Sequence, residues 1–331
     1  MKVMPFIGVL GLKGVIGLKT KEKELSPVQE LLEKKYNGGF LNRREKIIPI
    51  ILFFMAAVSV LTTLGIVLTL IFETFTFFGD VSVVEFFTAT EWYPFSETEA
   101  VYGIWPLVLG TLKITLIASL FAVPIGLAVA LYLSEYAGVR TRKIMKPILE
   151  VLAGVPTIVY GFFALTFVTP VLRELFPSIE LFNAISPGIV VGIMIIPTIV
   201  SLSEDALSSV PEPVRHGALA IGSTKWETAS KVIFPAALSG ILASIVLGIS
   251  RAIGETMIVS IAAGSTPSAA LDLTSSLQTM TSYIVQVTTG DAGFGTTIYY
   301  SIYAVGFTLF VFTLAMNALA QFISKRFREE Y

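Results

Sequence analysis

The chain has 331 residues, of which 54% are hydrophobic and only 14% charged, with 24 Phe and a mean hydropathy of +0.79. A soluble chain carries about 25% charge, so this composition is that of a polytopic membrane protein. The net charge of −1 gives no bulk attraction for nucleic acid, the absence of cysteine excludes disulfides, thiol nucleophiles and Cys-held metals, and a single histidine, His216, excludes a multi-His metal site. No catalytic residues and no metal ligands are expected.

Residues 1–46 form a cytoplasmic segment in this reading. Lys2 before an apolar stretch imitates a signal peptide, but no small-residue cleavage site follows and Lys13 and Lys19 interrupt the pattern, so an uncleaved interfacial segment is expected. A short amphipathic helix follows. Ser26 caps it, Pro27 fits its first position, Gln29 completes a capping box and Asn37-Gly38-Gly39 stops it.

Six windows then have the roughly 20 apolar residues that a bilayer core requires: residues 47–72, 104–133, 148–172, 187–202, 237–262 and 298–323. Together they define a transmembrane domain over residues 47–323, followed by a cytoplasmic tail at 324–331. Pro124, Pro156 and Pro197 fall inside windows. They would kink helices and free carbonyls that need partners in the bundle or in a water-filled cavity. Ten Lys/Arg precede the first window, and all the remaining loop cations but Arg173 fall on the same side; both termini are therefore expected in the cytoplasm.

Of the two long loops on the other side, residues 73–103 carry six acids, no base and many aromatics, among them Trp92, Tyr93, Phe95, Tyr102 and Trp105. Such residues mark the membrane–water boundary. In residues 264–297, Leu273, Leu277, Met280, Ile284 and Val287 repeat with helical spacing, which predicts an amphipathic helix capped by Asp272 on the outer surface of the bundle.

Two familiar glycine patterns fail. Gly14 to Thr20 has too short a spacer for a phosphate-binding P-loop, with Leu18 between glycine and lysine, and Gly290 to Gly295 has the wrong order for a dinucleotide fingerprint. The chain has no ATP site of its own.

Two features carry chemistry. Arg251 and Glu255 lie four residues apart within the fifth window, so they are expected on the same helix face. An ionised side chain there costs several kcal/mol and faces a bundle interior or cavity. The pair either holds helices in register or lines an anion pathway, since arginine's planar fork matches oxyanions and a nearby carboxylate would prevent over-tight binding. About 20 Å of helix separates Arg251 from the cytoplasmic end of the span. Lys113, in the second window, is a further pathway candidate or a snorkelling cation. The second feature is the loop at about 204–236. There residues 218–221 read as helical, Gly222 breaks the helix, and a second helix begins at Ser223-Thr224 with Glu227 near its positive end. Such a helix–turn–helix is either a lever for another subunit or a plain connector.

That loop resembles the ATPase-coupling signature of ABC importer permeases. Counting back from Pro235, the signature glycine falls on Gly222, its Ile and Leu on Val232 and Phe234, and its opening triplet on His216-Gly217-Ala218, with histidine in place of the usual acid. The resemblance is closest to phosphate-specific permeases of the PstC type. It is carried by Leu152-Ala153-Gly154-Val155-Pro156-Thr157, Val159-Tyr160-Gly161, Ser203-Glu204-Asp205 and Arg251-Ala252-Ile253-Gly254-Glu255-Thr256. The resemblance implies an all-α, six-helix importer permease in a bacterial inner membrane. Its partners would be a homologous PstA-type permease, a dimeric PstB-type ATPase that holds ATP and Mg, and a periplasmic PstS-type phosphate-binding protein. It assigns Arg251, Glu255 and Lys113 to the substrate pathway, and His216, Gly217, Ala218, Gly222, Trp226, Glu227 and Pro235 to ATPase coupling, with no cofactor in this chain. An ion-gradient-driven anion carrier, or a permease for another oxyanion, is the alternative.

Overall fold

A computed structural model describes residues 41–96, 99–290 and 292–326. The expected N-terminal interfacial segment and Ser26-capped helix, and residues 327–331 of the tail, lie outside them. The described residues fall into two compact units, divided between Gly65 and Ile66.

The elements are almost entirely helical: α1 (Leu41–Asp80), α2 (Val83–Thr88), α3 (Trp105–Leu131), α4 (Val139–Gly154), α5 (Thr157–Phe163), α6 (Thr169–Leu175), α7 (Ile185–Ser208), α8 (Glu212–Ala220), α9 (Lys225–Thr228), α10 (Phe234–Ala236), α11 (Leu238–Ile253), α12 (Met257–Ala262), α13 (Met280–Thr289) and α14 (Thr297–Arg326). Wider π turns extend α3 through Tyr136, join α5 to α6 and join α9 to α10. Five stretches are long and apolar enough to cross a membrane: Ile47–Asp80, Trp105–Tyr136, Thr157–Leu175, Ile185–Ser208 and Thr297–Phe322. The sixth is broken, with Lys225–Ala236 meeting Leu238–Ile253 at 73°.

The six expected windows thus have counterparts, with three changes. The third does not begin at residue 148. Pro156 disfavours helical geometry at Val155, so α4 ends at Gly154 as a separate amphipathic helix and the span starts at Thr157. The fourth runs on past residue 202 to Ser208, since Ser203 and Glu204 are buried inside the bundle. The connecting loop accordingly starts after Ser208 and not at 204. The fifth stops at Ile253 instead of reaching 262 unbroken.

α7 is the central helix, packed by α3 on one side and α11 on another. Val190, Met194, Ile195 and Ile199 are fully enclosed at this centre. α11 can come close because Gly248 faces Ile199; a Cβ there would lie 2.8 Å from its side chain. A Ser203–Ser244 hydroxyl bond of 2.5 Å ties α7 to α11, and Ser250 donates to Asn317 at 2.6 Å to tie α11 to α14.

A second core lies at the end opposite the connecting loop. A two-residue ladder pairs Trp92 with Tyr102, and both rings are enclosed with Phe77, Phe86 and Tyr283. Only Tyr93, Phe95 and Trp105 of the five boundary aromatics are exposed. The amphipathic helix also starts later than its periodicity suggests. Asp272 accepts bonds from the Thr274 amide and hydroxyl, closing a turn, and the helix is α13, capped by a Thr279–Ser282 box. Its Met280 and Tyr283 are fully buried, so α13 is part of this core and not an outer appendage.

Candidate functional site: a broken helix and its cation

The Arg-Ala-Ile-Gly-Glu-Thr stretch occupies the break between α11 and α12. α11 ends at Ile253 and Gly254 closes it, so Arg251 sits in its last turn and Glu255 in the non-helical link. The expectation of one shared helix face does not hold. Arg251 and Glu255 form no ion pair; the pairs among the described residues are Arg142–Glu204, Lys146–Glu204, Arg215–Glu135, His216–Glu212 and Lys231–Glu227.

Instead the two side chains divide the work. Glu255 is buried, and its Oε1 accepts from the amides of Met257 and Ile258, 3.1 and 3.3 Å away, which neutralises the N-terminal end of α12. Thr281 at the head of α13 donates to the Glu255 carbonyl at 2.7 Å, pinning the link from the other side. Arg251 is exposed, and its only described protein bond runs from Nη1 to the Thr198 hydroxyl on α7, at 3.1 Å. A guanidinium has five donors, so most of this one is free to meet a ligand. A full positive charge in an apolar helix, with no carboxylate paired to it among the described residues, favours an anion.

Thr198 also lines a cavity of about 220 Å³ between α4 and α7, walled by Leu149, Ala153, Pro197 and Ser201 and closed towards the connecting loop by Lys146 and Glu204. The cation therefore has a polar-edged space beside its one tether. Thr198 and Thr281 were not singled out from sequence; an isolated threonine in an apolar helix carries no periodic signal, and only the fold brings them to the break.

Lys113 is the ninth residue of α3 and is buried, its amine donating to the Ala270 carbonyl of the loop after α12. Asp272 in that loop acts on it electrostatically. Its charge is engaged at the far end of the bundle and is not brought to Arg251 by any described contact.

The connecting loop has the shape read from its residues. α8 carries His216, Gly217 and Ala218, Gly222 turns the chain with φ of +94°, and Thr224 and Glu227 form a reciprocal capping box on α9. Gly217 has open space where a Cβ would stand, and Ala218 is buried. Ile221 and Trp226, on either side of the turn, are 85% and 60% exposed. His216 lies 3.5 Å from Glu212 on the exposed face of α8. Behind them, Arg215 joins α8 to the end of α3 through Glu135 at 3.1 Å and bonds the Leu207 carbonyl. Pro235 lies in α10, beside the 73° bend into α11. The loop and the helix bearing Arg251 are thus one continuous, bent piece of chain.

Residues 122–329 match the family described as binding-protein-dependent transport system inner membrane component. The chain is 33% identical to the probable ABC transporter permease protein YqgH of Bacillus subtilis, over 74% of this chain and 79% of that one. It is 33% identical to the phosphate transport system permease protein PstC of Xylella fastidiosa, over 73% and 79%. Among solved structures, a permease chain of a bacterial alginate ABC transporter in complex with its alginate pentasaccharide-bound periplasmic protein is similar in fold, with a TM-score of 0.59 at 16% identity, over 83% of this chain and 94% of that one. With the bent span, the free cation at its far end and the capped turn at its near end all in place, the chain belongs to the binding-protein-dependent transport system inner membrane component family, the permeases of ABC importers.

Proposed function

We propose that this chain is the PstC-type permease subunit of an ATP-driven importer that moves inorganic phosphate inward across the bacterial inner membrane. The observation that carries the reading is the Arg251 guanidinium at the helix break, which has no ion pair among the described residues and whose tether Thr198 lines a polar-edged cavity. The similarity to PstC permeases supplies the choice of phosphate over other oxyanions.

The chain itself holds no cofactor and performs no hydrolysis; ATP and Mg are held by a dimeric PstB-type ATPase on the cytoplasmic side, where both termini lie. A PstA-type permease completes the membrane pathway, and a periplasmic PstS-type protein delivers phosphate. The ATPase takes hold of the turn at Ile221, Gly222 and Trp226, whose exposed apolar side chains need a partner surface. Closing of the ATPase moves α8 and α9 together with Pro235, and the bend transmits that motion to α11 and Arg251. His216, Gly217, Ala218 and Glu227 shape the lever. Arg251 stabilises the anion in transit, and Glu255 keeps the break open by capping α12. Lys113 contributes positive charge at the entrance. Coupling requires only that ATP bind one bundle state more tightly than the other.

The test is phosphate uptake by the assembled complex. Arg251→Gln should abolish uptake while the PstA-type permease and the PstB-type ATPase still co-purify, and Arg251→Lys should restore part of it. Near-normal uptake by the glutamine variant rejects Arg251 as a pathway residue.

A further inference from the structure

α4 has three faces, and only one is used by the bundle. Met145, Leu149 and Leu152 pack inward, whereas Ile144, Ile148 and Val151 stand 62%, 54% and 71% exposed at helical spacing. Between these faces, Arg142, Lys143 and Lys146 join Ala137 and Val139 in lining a cavity of about 410 Å³.

Two of these cations are held in position from beneath. The Arg142 guanidinium donates to the carbonyls of Leu133 and Ser134 at 2.6 and 2.9 Å and lies 3.7 Å from Glu204, while the Lys146 amine is 2.6 Å from the other oxygen of that carboxylate. The Glu204 side chain is 3% exposed and pairs with both cations from behind the cavity. Lys143 has no ion pair among the described residues and is exposed at the rim. One buried carboxylate against three cations leaves the cavity with two net positive charges.

Its depth is fixed as well. The span of α3 ends at Tyr136, where the Tyr132 and Tyr136 rings are 51% and 43% exposed, in the manner of aromatics at the membrane–water boundary. The cavity begins one residue beyond, at Ala137, on the end of the bundle that carries the connecting loop, which is where the span's end would put lipid headgroups. Basic pockets and amphipathic helices at this level recognise anionic headgroups.

We propose that this cavity is a binding site for the phosphoryl headgroup of an anionic phospholipid, whose acyl chains lie along Ile144, Ile148 and Val151. A phosphoryl oxyanion could also arrive as free phosphate, but a soluble anion makes no use of the apolar face that adjoins the cations. The site takes in neither Arg251 nor Thr198, although it shares Lys146 with the cavity beside them, and it stands whether or not phosphate is the transported solute.

Native mass spectrometry of the assembled transporter, titrated in detergent with phosphatidylglycerol or phosphatidylcholine, tests the assignment. At about 1 kcal/mol per basic residue, two net charges should favour phosphatidylglycerol about thirtyfold. Lys143→Gln should weaken that binding about fivefold, Lys143→Arg should preserve it, and Arg173→Gln at the opposite end should leave it unchanged. Equal binding of the two lipids, an unaltered affinity in Lys143→Gln, or an equal loss in Arg173→Gln overturns the site. Displacement of phosphatidylglycerol by inorganic phosphate would make it a solute site. Binding seen only when the ATPase is removed would assign the face to that protein. Either result overturns the lipid proposal.

Discussion

At the scale of single residues, Arg251 and Glu255 differ in how they can fail. The Glu255 carboxylate satisfies two amides that would otherwise be orphaned at the start of α12. Glu255→Gln keeps an accepting oxygen and should change thermal stability little, whereas Glu255→Ala should cost about 1 kcal/mol, read from the unfolding midpoint of the complex. The presence of Arg251 as a cation inside an apolar helix was legible from the sequence. The relation of the pair was not, because a spacing of four means a shared face only in an unbroken helix, and Gly254 ends this one. Lys113 was equally open to two roles until the loop bearing Ala270 closed over it. In that loop, hydrogen bonds led by the Thr274 amide hold the Asp272 carboxyl down at about 2. A lowered value means that the turn gains stability above the ordinary Asp range and loses it as pH falls through about 2. The Thr274 amide should therefore keep its hydrogen-exchange protection at pH 4 and lose the Asp272 contribution only near pH 2, while Asp272→Asn should flatten that dependence.

At the scale of elements, the connecting loop was the most legible part of the chain. A glycine between two short polar helices, followed three residues after Thr224 by an acid, specifies both the turn and its capping box through local bonds alone. Gly222→Ala forces a side chain into left-handed geometry and should destabilise the turn by about 1–2 kcal/mol. The readout is faster amide exchange over residues 217–228, together with fewer phosphate ions moved per ATP hydrolysed. Unchanged coupling would reduce the loop to a connector. The elements that hydropathy blurred were those with long-range causes. α7 outlasts its apolar run because Arg142 and Lys146 of α4 pair with the buried Glu204, and Trp92 leaves the boundary because Tyr283 of α13 receives it. Neither partner is near in sequence.

For the whole molecule, composition alone pointed to the class: a chain this apolar, with 14% charge, builds a membrane bundle of helices. The purified chain should hydrolyse no ATP above background, and phosphate-stimulated hydrolysis should emerge only on assembly with its ATPase. Activity from the chain alone would overturn that division of labour.

The turn at Ile221 and Trp226 also has a cost outside the transport cycle. Two large apolar side chains held out on a rigid, capped hinge cannot retreat inward when no ATPase is there to receive them. A copy made in excess of its partners would present them to the cytosol as an adhesive tip, open to chaperones, proteases and other surplus copies. If the proposed ATPase covers this turn, balanced synthesis of the subunits is a condition of the chain's survival in the cell, and the same exposed pair marks every unmatched copy for removal.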